Sequence, residues 1–502
     1  VDLRAKLARL KPIGAREQPA PPEVEEPSGS SVPPHIEALR IRLAEVLEKS
    51  REKEARRAAV RAAAIEERLR RAPLPFDTHE TDLGPLHVRA VRHAGSHRVG
   101  RVPLRAGIEV DAEAIALLAL DPTIGAVDPA RALYLDTEAT GLAGGTGTIP
   151  FLIGLAWFEE GELVVEQLLL RRLGDEAPIL ARVAERIAGA SMLVSFNGKA
   201  FDLPLLRTRF VMNRVPRPAE PPHLDLVHLA RRVHRGVRGR GGDGDPRSGP
   251  TIERWTGESE AEELRRRTSC KLVALERQVL GFVRVDDVPS AEVPARYGHF
   301  LRTGDADAIR AVCDHNLWDV VSMAALIGVY SQAVRRLDGL STGGPTGDGS
   351  GDGCEDDDAL DGRDLVGIAK TLERAGARDR ARRAADRAVA QADGDPDLAV
   401  AARRTRGVIA KRSRDTARAL EDFAHLAGTH DDPIARLELA KLYEHQIRDP
   451  RTALAFATSG TSEDDAAAHR RLTRLERKVA RAEQLSLVPP AIASSPSKRR
   501  ET

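Results

Sequence analysis

A chain of 502 residues with 41% hydrophobic content can hold two or three domains with sizeable cores and is no minimal scaffold. Its 77 Lys and Arg stand against 76 Asp and Glu, a formal net charge of +1, so affinity for nucleic acid has to come from local patches. The cysteines Cys270, Cys313 and Cys354 form no CxxC pair, which argues against zinc and disulfides and for a reducing cytoplasm, and no run reaches the roughly 18 apolar residues of a membrane span.

Residues 1–34 open with a short basic pattern and dissolve into Pro, Glu and Ser, a composition that reads as a disordered tail. They lack the apolar core of a signal peptide, so the protein is expected to stay where it is made, with no membrane partner. Residues 35–72 place Ile36, Leu39, Leu43, Val46 and Leu47 at helical spacing on a highly charged background and predict a solvated or docking helix. From about 80 to 336, short apolar runs alternate with amphipathic stretches, the pattern of an α/β domain. Strands are expected at Leu133–Asp136, Pro150–Phe158, Glu162–Leu170 and Ser191–Ser195, the second and third as a hairpin. Helices are expected near 176–189, from about Asp202 to Met212 and from about Ala306 to Val334.

Inside this domain, residues 235–263 are rich in Gly and Arg and read as a flexible surface insertion. Residues 339–362 are a Gly/Asp linker by composition. Beyond it, Asp379, Asp415 and Asp449 recur with similar neighbours at intervals of 36 and 34 residues, which resembles degraded tetratricopeptide helix pairs over 363–484. Such a separate all-α unit could present a concave surface to a protein partner or act as a plain helical cap. The last residues, 485–502, read as another disordered tail.

The stretch LDTEATGLAGGTGT holds two candidate sites. Its glycines are followed by a strand and not by a helix, and it contains no lysine, so neither a phosphate loop nor a dinucleotide fingerprint fits. They read as a permissive turn that lets something approach the backbone. Asp136 and Glu138, two apart in a strand, share one face about 7 Å apart, within reach of a pair of divalent ions about 4 Å apart. A turn-facing polar pair would look the same. FNGKAFDLPLL then sets Asp202 at the start of a helix, where an N-cap is the plain reading, and CDHNLWDVVS sets His315 and Asp319 on one helix face. An acid on the apolar side of a helix demands a partner or a metal.

Together LDTEATGL, FNGKAFDLPLL and HNLWDVVS resemble the three motifs of the DEDD exonuclease superfamily. With GLAGGTGTIPFLIG, HLDLVHLARR and RVDDVPSAEVPARYGHFLRTGDA, residues 80–336 resemble more narrowly the YprB-type ribonuclease H-like exonuclease family. The resemblance implies a ribonuclease H-like mixed sheet flanked by helices; the separate all-α helical-repeat region rests on its own period, and the resemblance adds only that helical repeats can follow such a domain. It implies that Asp136, Glu138, Asp202 and Asp319 hold two Mg²⁺ or Mn²⁺ ions for phosphodiester hydrolysis, with 3′-5′ exonuclease action on DNA or RNA. Thr137, Asn197, Lys199 and Asp225 are expected against the substrate, Asp225 forming a polar point with His223. His315 stands at the spacing at which related groups carry tyrosine, with the chemistry of the groups that carry histidine; it is expected to deprotonate the attacking water, a structural histidine being the alternative. A non-cleaving nucleic-acid-binding adaptor is the competing reading, against which clustered, mutually repelling carboxylates argue.

Overall fold

The structure, a computed structural model, describes residues 34–71, 73–141, 145–235, 269–339 and 360–486. Nearly all of both predicted tails and of the 235–263 insertion, and most of the 339–362 linker, lie outside these residues. The chain divides into two units, one up to Glu67 and one from Arg68 onward. Helix α1 (Pro34–Arg71) makes up the described part of the first unit as far as Glu67, and on it Leu39, Leu43, Val46 and Leu47 are all exposed. Closely spaced Glu, Lys and Arg suit such a solvated helix.

The second unit is built on a seven-stranded sheet. Strands β1 (Asp77–Thr81) and β2 (Gly84–Ala94) form a leading hairpin, and a two-residue pair, β3 (Arg98–Val99) and β4 (Val102–Pro103), follows before helix α2 (Ala112–Ala119). Then come β5 (Ala132–Ala139), β6 (Pro150–Glu159), β7 (Glu162–Leu169), α3 (Glu176–Gly189), β8 (Met192–Ser195), α4 (Asp202–Met212), β9 (His223–Asp225) and α5 (Leu226–His234). The spatial order is β1-β2-β7-β6-β5-β8-β9. Pairing is antiparallel from β1 to β5 and parallel from β5 through β8 to β9. This is the mixed sheet flanked by helices that the resemblance implies.

Strand β5 lies inside the sheet between β6 and β8, which is why its first half is apolar without alternation. Leu133 and Leu135 enter the core on one side, and Tyr134 the core on the other. After the short α6 (Leu272–Leu275) and α7 (Val293–Thr303) comes α8 (Ala306–Leu337), which joins both cores. Ile309, Val312 and Cys313 belong to the first core and Leu317 onward to the second, so the helix changes cores at the stretch that carries His315 and Asp319. Helix α8 is long and apolar enough to cross a membrane by composition, but 83% of its most apolar window is buried inside the protein, which marks it as the central core helix.

The C-terminal region is a run of helices: α9 (Gly362–Arg374), α10 (Arg378–Ala390), α11 (Pro396–Arg412), α12 (Thr416–Thr429), α13 (Pro433–Leu442), α14 (Pro450–Thr458) and α15 (Asp465–Ser486). Asp415 and Asp449 accept backbone N–H bonds as N-caps of α12 and α14, and Asp379 lies in the first turn of α10. The sequence repeat therefore marks the second helix of successive pairs. The region is also packed onto the sheet domain, for one core runs from Val99 to Ile409. At that junction His234 joins Asp364 through Nδ1 and the Tyr330 hydroxyl through Nε2, both at 2.8 Å.

Candidate active site

Strand β5 places Asp136 and Glu138 on one face, as the two-residue period requires. The register of β5 against β6 shifts between Glu138 and Ala139, an irregularity that ends regular pairing beside the acids. The glycine-rich stretch closes a hairpin from β5 to β6, with Thr140 N–H bonded to the Ile149 carbonyl at 2.9 Å; residues 142–144 lie outside the described residues. Its far side is held by Arg209 of α4, which donates to the Thr146 carbonyl at 3.0 Å while its guanidinium meets the buried Glu176.

Asp136 is positioned by a row of residues across the sheet. In register across β5, β6, β7 and β2 stand Asp136, Gly154, Gln167 and Arg89. Asn316 of α8 sits over Gly154, where an added Cβ would lie 2.4 Å from the Asn316 side-chain oxygen; only glycine leaves room for it. Asn316 Nδ2 donates to Asp136 Oδ2 at 2.8 Å, Gln167 Nε2 donates to Asn316 Oδ1 at 2.9 Å, and Arg89 donates to Gln167 Oε1 at 3.3 Å. Both amides are fully buried. The chain of donors fixes which way each amide points, and so fixes the rotamer of the carboxylate at its end.

Asp202 arrives by a different device. The turn after β8 puts Asn197 at φ 69° and Gly198 where a Cβ would lie 2.4 Å from Ser195 Oγ and 3.0 Å from Asp202 Oδ2. Asp225 Oδ1 accepts from Asn197 N–H at 2.7 Å and Oδ2 from Lys199 N–H at 3.1 Å, and Oδ1 also caps α5 through Val227 N–H. Asp225, expected to meet substrate, is enclosed, and its oxygens accept from backbone amides of the turn that precedes Asp202. His223 supports the same turn through Ser195 Oγ at 2.8 Å, and burial pushes its imidazole down to about 4. Thr137, also expected against substrate, donates its hydroxyl to Asp202 Oδ1 at 2.5 Å. Asn197 is half-buried beside Gly198, and Lys199 is exposed.

Helix α8 supplies the rest. His315 Nε2 lies 3.8 Å from Glu138 Oε1 and 3.5 Å from Asp319 Oδ2. Its other ring nitrogen, Nδ1, is 2.6 Å from Asp287 Oδ1. Arg284, whose side chain is 3% exposed, donates to Asp319 Oδ1 at 2.5 Å, to the His315 carbonyl at 3.2 Å and to both oxygens of the enclosed Glu276. Asp319 therefore gives one oxygen to a guanidinium and turns the other toward His315. Asp287, Arg284, Glu276, Asn316 and Gln167 were not among the candidates from sequence. Arg284 and Asp287 do fall in the RVDDVPS segment that carried part of the resemblance, and Asn316 in HNLWDVVS.

The electrostatics are those of a site short of positive charge. Burial, then Asp319, Asp202 and Glu138, push the Asp136 carboxyl well above the usual carboxylate range against the Asn316 hydrogen bond. Burial, Asp319 and Asp202 do the same to Glu138, with Arg284 opposing. Burial raises Asp202 to about 6 despite the hydrogen bond from Thr137. Like charges gathered in a partly desolvated place raise one another's pKa, and a cation reverses the effect. The residues present fit divalent ions: ligand atoms of Glu138, His315 and Asp319 lie within 4.8 Å of one another, and Asp136 and Asp202 act on the same group.

Residues 133–330, which contain all four acids and His315, match the family model described as the RNase_H superfamily. Among curated proteins the chain is similar to the uncharacterized protein YprB of Bacillus subtilis (strain 168), 28% identical over 359 residues, which cover 69% of this chain and 74% of the relative.

Proposed function

We propose that the protein is a metal-dependent nuclease, a 3′-5′ exonuclease that hydrolyses phosphodiester bonds in DNA or RNA. The observation that carries this reading is the convergence of Asp136, Glu138, Asp202 and Asp319 from a strand and two helices onto one place where their mutual repulsion calls for cations. These four would hold two ions, and carboxylate oxygens favour Mg²⁺ or Mn²⁺. Such ions, when bound, supply Lewis-acid activation of water and stabilisation of charge on the phosphate oxygens. Exonuclease action and its direction rest on the resemblance of the three motifs.

His315 is the general base of this reading. With Nδ1 held by Asp287 at 2.6 Å, the proton-accepting Nε2 faces Glu138 and Asp319, toward the place where water would attack. Arg284 offsets part of the charge of Asp319 and fixes its side chain. Asn197 and Lys199 line the substrate side, Lys199 as a phosphate contact. A second role for His315 has its own support, since its ligand atom groups with those of Glu138 and Asp319: it would then be a metal ligand. We read residues 80–336 as the nuclease domain and the helix pairs from 363 to 484 as tetratricopeptide-like repeats offering a surface to a protein partner.

The test is incubation of labelled single-stranded and duplex DNA and RNA with Mg²⁺ or Mn²⁺, comparing the wild type with Asp136→Ala. Metal-dependent nucleotide release that disappears in the variant supports the nuclease. Binding without cleavage by either protein would instead favour the adaptor reading.

A further inference from the structure

Helix α15 carries more positive charge than its packing uses. Burial would raise the carboxyl of the enclosed Glu444, yet Arg474 and Lys478 hold it down at about 2, with donor distances of 2.7 and 2.8 Å. Arg471 meets the same carboxylate at 3.3 Å and Glu463 at 2.7 Å. These contacts fasten the helix to the array. Arg470, Arg477 and Arg481 are exposed, and none is ion-paired among the described residues. They are seven and four positions apart, so on a helix they fall within about 40° of one another. Thr473 and the half-exposed heads of Arg474 and Lys478 complete the same face, and no carboxylate lines it.

Unpaired like charges stacked along one helix face repel and disfavour the helix. Elsewhere in the helical array several arginines are tied down, as Arg363 is to Asp395, Arg404 to Asp432 and Arg406 to Asp422, and those that are not, such as Arg414 and Arg448 among the described residues, stand singly. A regular stripe of untied ones is therefore a feature to explain. From Arg470 to Arg481 it spans about 16 Å of helix, over which one strand of a duplex presents about five phosphates. Guanidinium groups match phosphate oxygens in a two-pronged geometry that lysine lacks.

We propose that this face of α15 binds the phosphate backbone of the nucleic acid on which the ribonuclease H-like domain acts, a reading that rests on the nuclease function above. The face binds without regard to sequence and adds affinity at a place other than the acids.

The experiment uses the full chain in EDTA, which suppresses cleavage, with fluorescently labelled single-stranded and duplex DNA and RNA of about 30 nucleotides. Anisotropy titrations over a range of salt compare the wild type with R470E/R477E/R481E and with R470K/R477K/R481K. The charge-reversed protein is expected to bind roughly tenfold or more weakly, its log-affinity slope against log salt falling by about three for duplex and about two for single strands. The lysine variant keeps most of the binding, which separates lost charge from lost folding. Unchanged affinity and slope on charge reversal would overturn the proposal and leave the nuclease reading intact. A wild type that binds through the stripe but cleaves nothing when Mg²⁺ or Mn²⁺ is added would keep the surface and defeat the nuclease reading.

Discussion

The side-chain amide of Asn316 donates to Asp136 at 2.8 Å from directly above Gly154, the residue paired with Asp136 on the neighbouring strand. The carboxylate is thereby aimed by a helix that lies far along the chain from its own strand. Asn316→Ala should weaken Mn²⁺ binding by about 10- to 100-fold, the usual cost of losing a partner that orients a ligand. Gly154→Ala should do the same by displacing Asn316 and should also destabilise the fold by about 1–3 kcal/mol through overpacking. Calorimetric titration with Mn²⁺ and urea unfolding measure the two effects. Equal metal affinity in Asn316→Ala and wild type would show that Asp136 does not need the amide.

Asp287 faces the side of His315 turned away from Glu138 and Asp319. Asp287→Asn should lower kcat by about 10- to 100-fold with little change in KM, as loss of an orienting group behind a general base does. His315→Ala separates the two roles offered for the imidazole. A base removed leaves Mn²⁺ affinity intact while activity falls, whereas a ligand removed takes metal affinity with it.

Asp136, Glu138 and Asp202 all have carboxyls raised by burial, reinforced by their carboxylate neighbours. A carboxyl whose folded pKa lies above its unfolded value binds more protons when folded. Its contribution to stability is therefore fully present below about pH 4, the unfolded value, and lost as pH rises through the folded value, about 6 for Asp202. In EDTA the melting temperature should fall between pH 5 and pH 8, and saturating Mn²⁺ should remove most of that fall. Asp202→Asn should flatten the EDTA profile. A metal-free melting temperature that does not fall over this range contradicts the charge crowding.

Arg209 and Glu176 form a buried pair, 7% and 5% exposed, that ties α4 to α3 and to the carbonyl of Thr146. Arg209→Ala leaves Glu176 buried without its partner and should cost about 3–5 kcal/mol in urea unfolding. Removing both, as Arg209→Met with Glu176→Leu, should recover most of the loss.

The strands β5, β6 and β7 and the helices α3, α4 and α8 were legible because each carries a long apolar or amphipathic pattern. Strand β1, DTHET, is exposed along its whole length and offers no alternation to read, and β9 has only three residues. The acids announced themselves through residue type and spacing. Asn316, Gln167 and Gly154 did not, since their meaning comes from cross-strand register and from where α8 lands. Arg284 and Asp287 lie between helices in a stretch without periodicity, and only the fold brings them to His315.

Asp338, at the end of α8, is gripped by Arg380 and Arg383 of α10, and Leu360, just before α9, is buried. Both ends of the linker thus sit on one packed unit, so the linker's length does not set how the array stands to the acids. A strand held at the array and at the acids would meet two sites whose separation is a constant of the folded protein, so the gain from holding both depends on geometric match and not on tether length.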